Sequence, residues 1–151
     1  MRMLADLVGR RVVVQKTARI AKSDVAGAAA YVDGAGEIRF VAVANTTFLA
    51  SAGASLALIP VGMVADAIKS KQIPPTILEN SFEILNIASV LMNELDAAVH
   101  VKITTLDLVP NVPERVKAAI DAATVSLDLD VEITGYPKGK LSFLVAKRRR
   151  A

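Results

Sequence analysis

The sequence predicts an α+β fold: a six-stranded, mostly antiparallel sheet with one long helix and several shorter helices packed on it. Three observations point there. The 151 residues are 53% hydrophobic but only 4% aromatic, so a core of Val, Ile, Leu and Ala is within reach of one ordinary domain. Several short segments alternate apolar and polar residues with the period of a strand, and turn residues separate them. One long segment instead repeats its apolar residues with the period of a helix. Three strand–turn–strand units argue against a doubly wound parallel sheet.

Residues 1–9 place Met3, Leu4, Leu7 and Val8 at helical spacing, which predicts a short helix. Arg11 to Gln15 and Val25 to Val32 read as the first two strands, and Asp33-Gly34-Ala35-Gly36 as a hairpin turn. Glu37 to Asn45 is the third strand. A helix follows near Thr46–Thr47, whose hydroxyls are expected N-caps. Pro60–Val61–Gly62 interrupts it, and Val61 to Lys69 is a second short helix. Pro74–Pro75 closes that region, since neither residue donates a backbone hydrogen bond.

The longest helix is expected from about Ile77 to Leu95, opened by a capping box, Thr76-x-x-Glu79. Val99 to Leu108 is the fourth strand. Pro110 and Pro113 bracket a turn before a helix over Glu114 to Ala122. Val125 to Ile133 alternates strictly: Val125, Leu127, Leu129, Val131 and Ile133 face one way, and Ser126, Asp128, Asp130 and Glu132 the other. A turn at Tyr136-Pro137-Lys138-Gly139 leads to the last strand, Lys140 to Ala146.

Residues 1–146 are therefore expected to form one domain, and 147–151 a basic C-terminal tail. Lys147, Arg148, Arg149 and Arg150 supply more than the whole net charge: removing them from +3 leaves −1. A nearly neutral body is no nucleic-acid platform. Cysteine is absent, which excludes disulfides, thiol nucleophiles and zinc–thiolate sites and fits the cytoplasm. His100, the single histidine, reads as a packed residue. The uncharged stretch Phe40 to Ala65 is long enough to span a bilayer, but its polar residues and Pro60 read as a strand and a buried helix. The N-terminus lacks the apolar run of a signal peptide.

At 100° per residue, Phe82, Leu78, Leu85, Met92, Ser81, Ala88, Leu95 and Ile84 cover the side of the long helix expected against the sheet. Glu79, Glu83, Asn86, Asn93 and Glu94 form the opposite stripe. Glu83 and Asn86, three apart, lie side by side. Val90 also falls in the stripe, where a partner would use an apolar residue and water would not.

Glu79-x-x-x-Glu83-x-x-Asn86 resembles the active-site signature of the CheC/CheX/FliY chemotaxis phosphatases: a small or acidic residue, Glu four later, Asn three after that. Glu83-Ile84-Leu85-Asn86 is similar to the family's Glu-Ile-Gly-Asn stretch, and Pro110 stands close to the family's proline beyond the next strand. Glu79 stands where the family usually has Asp or Ser, and Leu85 and Val90 where small residues are common. A single motif matches CheX better than two-site CheC.

The resemblance implies a CheX-like fold and phosphatase action on an aspartyl-phosphorylated, CheY-like response regulator. The chain would carry no cofactor of its own, because the regulator brings Mg²⁺ together with the phosphate. Asn86 would position the attacking water and Glu83 would pair with the regulator's lysine, with Glu79, Val90 and Asn93 in the partner surface. It also implies a homodimer paired through strand edges. Two further readings stay open: a catalytically silent module that docks a response regulator or flagellar switch protein, and a structural domain whose polar helix face is simply solvated.

Overall fold

The computed structural model describes residues 9–95 and 100–147. Six strands follow the alternating segments: β1 (Val12–Lys16), β2 (Gly27–Val32), β3 (Ile38–Ala44), β4 (Lys102–Leu108), β5 (Val125–Ile133) and β6 (Gly139–Val145). Four helices of at least two turns lie among the described residues: α1 (Thr46–Leu56), α2 (Val61–Ser70), α3 (Pro75–Leu95) and α4 (Glu114–Ala122). The expected helix over residues 1–8, the start of the fourth strand at Val99, and Arg148 to Ala151 lie outside the described residues. So do the side chains of Met92, Glu94 and Leu95.

All strand pairs are antiparallel, in the order β1-β5-β6-β3-β2-β4. The β2–β3 hairpin turns where expected. Gly36 takes a φ of 80°, and the Asp33 carboxylate accepts from the Ala35 and Glu37 amides. One face of the sheet presents Ala29, Tyr31, Ala42, Ala44, Leu129, Val131, Ile133 and Leu141 to α1, α2 and α3. The other presents Ala28, Ala30, Val41, Val43 and Leu144 to α4 and to Ile20 and Val112. The inner strands are thus covered on both sides, so β2 reads as an almost unbroken apolar run, Gly27-Ala-Ala-Ala-Tyr31.

Five expectations need correction. His100 is exposed and precedes β4, so it is not a packed strand residue. Asn45, not a threonine, caps α1: its Oδ1 accepts from the amides of Phe48 (2.9 Å) and Lys140 (3.0 Å), joining the helix start to β6. The Thr76–Glu79 capping box does not form. Proline is suited to a first helical turn, so α3 begins at Pro75 and Thr76 lies inside it. The buried stripe of α3 is Ile77, Ser81, Ile84, Leu85 and Ser89, while Phe82 is only half-buried. The helix packs on α1 as well as on the sheet, which turns its inner side away from the purely apolar arc. Lastly, the alternation of β5 is buried only at Leu129, Val131 and Ile133; Val125 and Leu127 are exposed, beyond the reach of the helices.

Among the described residues no helix is long and apolar enough to cross a membrane. Phe40 to Ala65 resolves into β3, α1 and the start of α2. Small residues let α1 sit at the centre of the helical layer, where Phe48 to Ser55 are all buried. At Gly53 a Cβ would overlap the Ile77 carbonyl oxygen, so only glycine lets α1 and α3 approach this closely.

Candidate active site on the long helix

Three sets of hydrogen bonds fix α3 in place. At its start the Ser81 hydroxyl donates to the Leu49 carbonyl, and Asn80 Nδ2 donates to the Gly53 carbonyl at 3.1 Å, tying it to α1. In its middle the Tyr31 hydroxyl, rising from β2, donates to the Leu85 carbonyl at 2.6 Å. Near its end the Asn93 amide brackets Val101: Oδ1 accepts from the Val101 amide at 2.8 Å and Nδ2 donates to the Val101 carbonyl at 3.2 Å. The helix is a fixed platform, and its outward side chains take positions set by the core.

The outward side chains form one stripe. Glu79, Glu83 and Asn86 are exposed, and Val90 is 47% exposed. Consecutive members are three or four residues apart, so the stripe runs straight along the helix for about 16 Å. Among the described residues neither Glu83 nor Asn86 has a side-chain hydrogen-bond partner, and none of the ion pairs involves α3. The helix carries Glu79, Glu83 and Glu94 but no lysine or arginine. A negative face with no internal cation attracts a cationic group from outside.

Asn93 is placed differently from the other four. It is half-buried with its amide committed to Val101, so it serves the connection into β4 and is not free to meet a partner. Pro110 follows β4 at the edge of the sheet and is exposed. Tyr31 was not among the residues singled out from the sequence. Its signal was there: a phenol inside the buried run of β2 needs a hydrogen-bond partner, and the only way to bury it at low cost is to find one.

Chemically, the stripe offers a carboxylate that can bind an ammonium group and, beside it, an amide that can donate and accept at once. The amide can orient a water molecule without changing its own protonation. The apolar Val90 extends the surface with area that a partner would cover.

No protein-family model and no curated protein matches the sequence. Solved structures do. The chain is similar to the FliM middle domain of H. pylori, with a TM-score of 0.62 at 10% identity over 96% of this chain and 82% of that one. The FliM middle domain of V. alginolyticus gives 0.59 at 11% identity, covering 96% and 85%. FliM in the FliM–SpeE complex of H. pylori gives 0.58 at 10% identity, covering 96% and 78%. The chain has the fold of FliM middle domains.

Proposed function

We propose that the outer face of α3 binds a phosphorylated, CheY-like response regulator in the cytoplasm and hastens hydrolysis of its aspartyl phosphate. The observation that carries this reading is the exposed pair Glu83 and Asn86: adjacent on a fixed helix, unpartnered among the described residues, and set in a face without a cation. Glu83 engages a lysine of the regulator. Asn86 holds a water in line with the phosphorus. The water's oxygen bonds to phosphorus as the bond to the aspartate oxygen breaks, giving inorganic phosphate and a free carboxylate. Mg²⁺ belongs to the regulator's own phosphate site. An acyl phosphate is already labile, so positioning one water supplies much of the acceleration.

The likeness to FliM middle domains favours a second reading, in which the same face docks a regulator or a flagellar switch protein without turnover. One of the similar structures is a FliM–SpeE complex, so a protein of this fold can bind another protein.

Decay of phosphorylated regulator, with and without the protein, separates the two. Wild type should hasten it. Asn86→Ala should cut the acceleration by about a hundredfold or more while still binding a beryllofluoride-activated regulator. Glu83→Ala should weaken that binding on the order of tenfold. Binding without any acceleration would leave the docking reading and remove the enzymatic one.

A further inference from the structure

The turn of α3 that presents Glu83 and Asn86 rests on one polar side chain of the sheet. Tyr31 is fully buried in β2, its ring 6.5 Å from that of Phe143, and its hydroxyl donates to the carbonyl of Leu85, the residue just before Asn86. In a regular helix that carbonyl already accepts from the amide of Ser89, four residues on. The next carbonyl, of Asn86, also takes a second donor: Ser89 Oγ, at 2.6 Å. Two successive carbonyls of this turn thus carry an extra hydrogen bond, one from the sheet and one from within the helix. Ser81 and Asn80 anchor α3 before this turn and Asn93 after it. Between Ile84 and Ala88, Tyr31 is the only side chain from outside the helix that hydrogen-bonds to it among the described residues.

We propose that Tyr31 is a positioning residue: its phenol sets the depth and rotation of the helical turn that carries Glu83 and Asn86. The proposal rests on the reading of that face as the regulator-binding site. Glu83 and Asn86 project from the same turn as Leu85, so a shift at the Leu85 carbonyl moves both together. In-line placement of a water is sensitive to displacements of about 1 Å. Burial pushes the Tyr31 phenol well above its ordinary titration range, so it remains a donor at every working pH.

Tyr31→Phe keeps the ring and removes the donor. Tyr136→Phe is a matched control, because the Tyr136 hydroxyl donates at 2.7 Å to the carbonyl of Ile59, at the α1–α2 corner. Amide hydrogen exchange gives the first readout. In Tyr31→Phe the Ser89 and Val90 amides should exchange up to about tenfold faster than in wild type, while Tyr136→Phe leaves them unchanged. Single-turnover decay of phosphorylated regulator gives the second. Tyr31→Phe should lower the maximal rate by a larger factor than it raises the half-saturating concentration, and Tyr136→Phe should change neither. Wild-type exchange in Tyr31→Phe, or equal acceleration in both variants, would overturn the proposal. A wild-type protein that neither binds regulator nor hastens decay would overturn the reading of the face instead. The exchange comparison would still decide whether Tyr31 fixes the turn.

Discussion

Asn86 and Asn93 carry the same amide on the same side of α3, two turns apart, and the chain uses them differently. Helical spacing puts both in the outward stripe, which is why the sequence alone assigns both to a partner. What separates them is not local: the chain returns after α3, and the backbone of Val101 takes up the Asn93 amide before β4 begins. Ser89 shows the opposite error, while Ser81 is buried on the side expected against the sheet. Hydropathy ranks them as neutral, yet both are buried, because their hydroxyls find carbonyl acceptors within reach. Glu79 is the residue whose expected role changes most. Without a capping box it is an exposed carboxylate, one turn from Glu83, and like charges at that spacing repel slightly. Glu79→Ala should therefore change stability by no more than about 0.5 kcal/mol in either direction. A formed cap would instead cost about 1 kcal/mol or more on loss. Urea titration of the two proteins distinguishes these outcomes.

At the scale of elements, the strands and the order of helices were legible in the sequence because period-two alternation and turn residues are strong local signals. The hairpin at Asp33–Gly36 and the helix after Pro113 formed where expected for that reason. Helix starts were less legible where two acceptable signals stood next to each other. Asn45 outranks Thr46 as a cap because its carbonyl oxygen also meets the Lys140 amide, a contact supplied only by the folded β6. Pro75 opens α3 one residue before Thr76 could cap it. The contact of α1 with α3 was not legible at all, since it depends on a missing side chain at Gly53. Gly53→Ala should destabilise the protein by about 1–3 kcal/mol, because the added methyl meets the Ile77 carbonyl and the Ser81 hydroxyl and must push the helices apart. Gly62→Ala is the contrast. Gly62 lies in α2 with open space around its Cβ position, so alanine there should stabilise by about 0.5 kcal/mol. Thermal melts of the pair, read side by side, test whether close packing or helix propensity decides each site.

For the whole molecule, the sheet order leaves β1 and β4 as its two edges among the described residues, and these differ in what they offer a second copy. β1 has five residues and ends on Lys16. β4 has seven, Lys102-Ile-Thr-Thr-Leu-Asp-Leu108, with its charges near the ends and Thr104 and Thr105 exposed in the middle. Two copies of β4 paired antiparallel about Thr105 would place Lys102 opposite Leu108 and Ile103 opposite Asp107, so no like charges face each other. Such a pair would satisfy two rows of unpaired backbone groups and continue the sheet from one copy into the next. Both copies of α3 would then lie on one side of the joined sheet, because α3 covers the same face as its neighbour β4 through the Asn93–Val101 link. Each outward stripe would remain open to its own regulator. We therefore expect a homodimer through β4, to be measured by sedimentation velocity over a concentration series. Thr105→Asp should return it to a monomer, since the two new carboxylates would stand directly across the pair. Its melting temperature at low protein concentration should fall only slightly, because Thr105 is exposed and loses just the exposed hydrogen bond of its hydroxyl to Asp107. A wild type that stays monomeric at high concentration would rule the pairing out, and a dimer unaffected by Thr105→Asp would move the contact away from this edge.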